Sequence, residues 1–137
     1  MSIAWNCATN MIEALFDLSN YQTAAKLMDV AKLNHTLTAG NIANVDTPGY
    51  TRLQVAPTFQ AELKRAIESG DTDAIRNLQV RVEEDRLSEA VRPDGNNVNL
   101  DREMVNLSKN SLQYDYLVRV VNGQFSSFRQ AITGQSR

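Results

Sequence analysis

Along the last third of the chain, apolar side chains recur at intervals that alternate four and three. The series is Leu100, Met104, Leu107, Ser111, Tyr114, Val118, Val121, Phe125, Phe128 and Ile132, broken only by Ser111. A repeat of 3.5 holds a stripe against one partner only when helices wind left-handedly around each other, so the spacing predicts a long helix with a coiled-coil seam. Taken as continuous, it would extend about 50 Å at 1.5 Å per residue. Asn99 stands where a cap belongs. Asp101 and Glu103 fall in the first turn, where the helix dipole favours negative charge, and Gly134 marks the stop.

A second helical pattern runs from about Tyr21 to Asn44. Ser19 and Gln22 fit a capping box ahead of it, and a short helix from about Asn10 to Leu18 is expected to precede it. Its apolar positions occupy two faces, with Ala24, Leu27, Met28 and Ala31 on one side and Val30, Leu33 and Leu37 on another. A helix patterned in this way expects more than one neighbour. Gly40 costs about 1 kcal/mol relative to Ala in a helix interior, which points to close approach of another backbone or to fraying.

Between the helices the pattern breaks up. Pro48 disfavours helical geometry at Thr47, and Pro-Gly is the central pair of a type II turn, so the chain reverses at Asp46–Tyr50. Beyond it, residues 51 to 58 read as extended, Phe59 to Glu68 as a short amphipathic helix, and Asp71 to Leu78 as a further helical turn. Gln79 to Val82 alternates like a short strand, and Arg92 to Asn97 is a turn cluster. The expected fold is therefore mainly α. Long N- and C-terminal helices pair antiparallel as a coiled coil or helical bundle, with Leu37 near Val118, around a small irregular middle. Residues 1–47, 48–98 and 99–137 form its three segments, together one structural unit.

Charge sharpens this division. Residues 62 to 103 hold 18 of the 30 charged side chains, whereas 1–61 hold 7 and 104–137 hold 5. The middle is thus the solvated part, and the charge-poor ends are segments that something else covers. A balance of 14 Lys+Arg against 16 Asp+Glu supplies no basic field for a nucleic-acid backbone. No basic residue precedes Lys26, and no apolar run is long enough to span a bilayer, so neither a secretory signal nor membrane insertion is expected.

Candidate chemistry is sparse. Cys7 and His35 are the only residues of their types, which excludes a disulfide framework and any Cys or multi-His metal site. They also lack a nucleophile elbow or a partner carboxylate at a recognisable spacing. Glu83-Glu84-Asp85 reads as a solvated acidic loop, and no glycine pattern cradles phosphate. No catalytic residue, cofactor or metal is expected, and an enzyme is the least favoured class.

One segment is more specific. Asn41-Ile42-Ala43-Asn44, followed by Thr47-Pro48-Gly49-Tyr50, resembles the N-terminal signature of the flagellar rod, hook and hook-associated family. A second block, Arg92 to Met104, resembles the junction into the C-terminal helix of that family's proximal rod members, and the short middle fits them as well. The resemblance implies a structural subunit of the bacterial flagellar basal body, exported by the flagellar type III apparatus without a cleaved signal. Its terminal helices would polymerise, transmit torque and line the export channel. The implied partners are further copies of the chain, neighbouring rod proteins, the basal-body adaptor at the MS ring and the export gate.

On the residues themselves, Asn41 and Asn44 can hydrogen-bond across a helix interface, and Asn44 can equally be a simple helix cap. Tyr114, Phe125 and Phe128 read as packing knobs. Phe59 and Leu63 resemble the Phe-x-x-x-apolar element by which early flagellar export substrates are recognised at the gate. A cytosolic helical adaptor or export chaperone, binding partners through the same seam, is the alternative.

Overall fold

The computed structural model describes residues 18–88 and 92–134. Two long helices dominate it: α1 (Leu18–Ala43) and a C-terminal helix (Leu100–Thr133). Between them lie β1 (Leu53–Val55), α2 (Thr58–Glu68), α3 (Thr72–Asn77) and β2 (Val82–Glu84), so the C-terminal helix is α4. The mainly α architecture with a small irregular middle is the one the pattern predicts.

Local chemistry sets most of the boundaries. Asn99 caps α4 by accepting from the Arg102 N–H at 3.0 Å, and Gly134, at φ +65°, closes the other end with its N–H on the Gln130 carbonyl. Gly49 has φ +69° after Pro48, and the Tyr50 N–H returns to the Thr47 carbonyl at 3.3 Å, which is the expected reversal. Two expectations shift. α1 already runs through Ser19 rather than starting after it, and the short helix predicted before Leu18 lies outside the described residues. The second strand begins only at Val82, because Val80 turns into the core and residues 82–84 are those that pair antiparallel with 55–53.

α1 has two neighbours, as its two apolar faces require, although Leu27 packs with Val30 rather than with Ala24 and Ala31. On one side, Val30 and Leu27 pack with Phe59, Leu63, Ala66 and Ile75 from α2 and α3. Fully burying side chains of this size contributes about 1.5–3 kcal/mol each. Lys26 fixes α3 to the same face, its Nζ donating to the carbonyls of Arg76 and Leu78 at 2.9 and 3.0 Å. On the other side α1 meets α4 in antiparallel register. The small residues Ala24, Ala31 and Thr38 form a buried column facing Leu117, Asn110 and Glu103, all likewise buried. Asn110 Nδ2 donates to the Ala31 carbonyl at 2.8 Å, and the rings of Tyr21 and Phe125 meet edge to face at 6.1 Å.

That register corrects one expectation. With Ala31 opposite Asn110, Leu37 and Val118 stand about four helical turns apart along the pair. Among the described residues no helix is long and apolar enough to cross a membrane.

Candidate functional site

The two sequence blocks singled out above converge on one polar junction, where α1 ends, β1 and β2 begin and end, and α4 starts. Asn41, in the last turn of α1, is only 1% exposed. Its carboxamide pairs with the backbone of Leu53, Nδ2 donating to the carbonyl and Oδ1 accepting from the N–H, both at 2.9 Å. The same Oδ1 accepts from the Tyr50 hydroxyl at 3.2 Å, and Nδ2 also donates to Glu103 Oε2 at 3.1 Å. One side chain thus acts as a third strand for β1 and ties it to both long helices.

Glu103 is wholly buried, so its charge needs a partner. Arg52 supplies it, with Nε on Oε1 at 2.9 Å, while Asn106 Nδ2 donates to the same oxygen at 3.1 Å. A guanidinium nitrogen of Arg52 spans to Gln54 and to Asp85, at 2.9 and 3.2 Å. Asp85 in turn accepts from the backbone N–H and hydroxyl of Ser88, at 3.2 and 2.7 Å. The Ser88 hydroxyl bond, ahead of the attraction to Arg52, holds the Asp85 carboxyl below the usual carboxylate range. Burial, then the charge of Glu103, pushes the Tyr50 phenol upward.

Two further asparagines fasten the second block to the first. Asn96 is fully buried, and its amide donates to the carbonyls of Asn44, Val45 and Thr47 at 2.9–3.0 Å, pinning the turn that follows α1. Asn97 accepts from the Arg52 N–H at 2.7 Å and donates to the Asp85 carbonyl at 2.6 Å. Across the turn, the Gly49 N–H donates to the Asp94 carbonyl, and a Cβ built on Gly95 would lie 3.9 Å from the Gly49 Cα. Asp46 pairs with Arg92 at 2.7 Å on the rim.

The 41–50 signature is therefore a structural clasp. Asn44 bonds its own helix, Nδ2 to the Gly40 carbonyl, which is the capping role. Ile42 and Tyr50 are half-buried, while Ala43, Thr47, Pro48 and Gly49 shape the exposed turn. The sequence reading missed Arg52, took Asp85 for part of a solvated acidic loop although it is buried and paired with Arg52, and placed Glu103 as a dipole partner although it sits at the centre of the network. A basic residue two positions after the signature and an acidic one in the first turn of α4 were the available signals.

The seam residues divide into two sets. The column that faces α1 is Glu103, Asn110 and Leu117, one position before each of Met104, Ser111 and Val118. Leu107, Val118, Val121 and Phe128 are half-buried beside it, whereas Leu100, Met104, Tyr114, Phe125 and Ile132 stand exposed, Met104 at 51% and Ile132 at 80%. Leu27 joins the core, and Leu33 and Leu37 are half-buried. Phe59 and Leu63 are buried in that core. An open groove lined by Lys32, His35, Ser111, Tyr114 and Asp115 runs beside the helix pair. Among the described residues no three His, Cys, Asp or Glu side chains come together where they could hold a metal.

No protein-family model matches the chain. Curated relatives do. The flagellar basal body rod protein FlgB of Borrelia hermsii is 34% identical over 135 residues, spanning 86% of this chain and 95% of that protein. FlgB of Bacillus subtilis is 30% identical, covering 82% of this chain and 92% of the relative, and that of Proteus mirabilis is 31% identical, covering 85% and 94%. The chain belongs to the FlgB family of flagellar basal body rod proteins. In this FlgB-family chain the polar clasp ties the two long helices together, and the pairing leaves Leu100, Met104, Tyr114 and Ile132 of α4 exposed.

Proposed function

We propose that this chain, a structural subunit of the flagellar basal-body rod, polymerises through α1 and α4, transmits torque, and lines the channel through which later subunits pass. The observation that carries this reading is the stripe Leu100, Met104, Tyr114, Phe125 and Ile132, left exposed along the flank of α4 beside its contact with α1, where Phe125 also meets Tyr21. Contiguous apolar surface of this kind is an association surface. Its neighbours are further copies, other rod proteins and the basal-body adaptor at the MS ring, and the role is structural, without catalysis.

In this proposal the chain reaches the rod through the flagellar type III apparatus, without a cleaved signal. Burial of Phe59 and Leu63 constrains how a gate could read them: only a chain whose middle region is not yet folded offers both side chains, so recognition precedes folding. Met104→Asp tests assembly. It places a charge in the proposed contact without touching the clasp, so the variant should remain folded and exported yet be lost from detergent-extracted hook-basal bodies, with loss of motility. Normal incorporation of that variant would remove the stripe from the assembly surface.

A further inference from the structure

The contact between α1 and α4 repeats along its length. Its buried positions recur every seven residues on both helices, Ala24, Ala31 and Thr38 on one and Leu117, Asn110 and Glu103 on the other. The three on α1 are small, so no side chain of particular shape locks into α4 there. Moving α4 by one heptad, about 10.5 Å at 1.5 Å per residue, lays one column on the other again. Asn110 does not distinguish the two placements. Its Nδ2 donates to a main-chain carbonyl, that of Ala31 at 2.8 Å, and Thr38 presents an equivalent carbonyl two turns farther along.

The polar side chains give the move a direction. Toward the start of α1, Glu103 would stop opposite Ala31, a buried charge carried away from Arg52. Toward the end of α1, Glu103 clears the last turn of that helix, Asn110 comes opposite Thr38, and Leu117 comes opposite Ala31. Thr38 supplies an independent observation. It is only 7% exposed, and among the described residues its hydroxyl has no hydrogen-bond partner. In the moved placement that hydroxyl meets the Asn110 carboxamide, which can bond it.

We infer that the α1–α4 pair has two registers one heptad apart, and that the clasp is what selects the register seen in this structure. Glu103 is held to Asn41 and Arg52, and Asn96 and Asn97 hold the approach to α4. Those bonds, with the ring contact of Tyr21 and Phe125, are what the move gives up. The rest of the fold is spared. Val30, Phe59, Leu63 and Ile75 pack on the other side of α1, and Lys26 stays bonded to α3 and the residue that follows it. Residues 85–99 separate β2 from α4, and a move of about 10.5 Å takes up the reach of only about three or four extended residues. The lock and the sliding surface are therefore separate parts of the chain, and opening the first frees the second.

The test uses the full-length chain with its one native cysteine removed by Cys7→Ser. Leu117→Cys with Ala24→Cys reads the register seen here, and Leu117→Cys with Ala31→Cys reads the moved one. A disulfide joins Cα atoms about 4.4–6.8 Å apart, less than one heptad, so each pair reports only its own register. Closure within single chains is measured on dilute purified protein against a glutathione buffer, which gives an effective concentration for each pair. With the clasp intact the first pair should close and the second stay open. Glu103→Lys sets a like charge against Arg52, and loss of the buried ion pair should raise the effective concentration of the second pair roughly a hundredfold. Adding Thr38→Val should lower it again, roughly fivefold, by removing the new hydrogen bond. Should Glu103→Lys lose its helical circular dichroism, Glu103→Gln with Asn96→Ala opens the clasp without a repelled charge and is read with the same two pairs. Closure of the first pair unchanged by an opened clasp, or loss of both closures in every opened variant, would overturn the inference: the clasp would then not choose the register, or would hold only one.

Discussion

The clasp is dominated by side chains whose polar groups are fully committed. Asn41 uses both its donors and its acceptor, so Asn41→Ala strands the Leu53 N–H and carbonyl in a buried site. At about 1–3 kcal/mol for each buried group left unpaired, the variant should lose roughly 2–4 kcal/mol in urea unfolding, whereas Asn122→Ala on the exposed face should change little. Asp85 gives a pH signature. Its folded pKa lies below the ordinary value near 3.9, so it contributes stability above that value and loses it as the pH falls through its own lower pKa. The gap in unfolding midpoint between wild type and Asp85→Asn should therefore be widest near neutral pH and narrow as the solution is acidified below the ordinary carboxylate range.

Among the elements, α2 is held almost wholly by its buried stripe. Phe59→Ala should cost about 3–5 kcal/mol and Leu63→Ala about 2–5, read by loss of amide protection across residues 53–82, with the α1–α4 pair less affected. If an export defect follows from Phe59→Ala while a volume-keeping Phe59→Leu restores stability and leaves export low, the gate reads the phenyl ring. Periodicity was enough to find both long helices, α2 and the antiparallel return, because apolar spacing and turn residues are local signals. It could not show which face of α4 meets α1, since that column is polar: Glu103 and Asn110 are buried by hydrogen bonds to α1 and Arg52, which hydropathy scores as solvent-facing. Arg52 escaped for a similar reason, its partners being 51 and 33 residues away. The signature itself was legible as a resemblance, while its hydrogen-bond geometry was not.

At the scale of the whole molecule, protection should fall along α4 with distance from the clasp. Amide exchange on the purified chain should be slowest through residues 103–110, where α4 is bonded to α1 and to Arg52, and fastest beyond Phe128, where Ile132 stands in solvent. Uniform protection along α4 before assembly would show that the helix needs no neighbour. The tether of Asn96 to the carbonyls just past α1 bears on timing as well as on stability. Those carbonyls are made some fifty residues before the amide that satisfies them. A ribosome releases the N-terminal half first, so the loop after α1 stays unfastened until the second block has been synthesised, and Arg52 has only Asp85 as an ion-pair partner until Glu103 follows. A chain stopped at residue 95 should accordingly lack the junction altogether, seen as rapid proteolysis between residues 44 and 53. The clasp is thus the last part of the fold to close, since it needs side chains from residue 41 through residue 103.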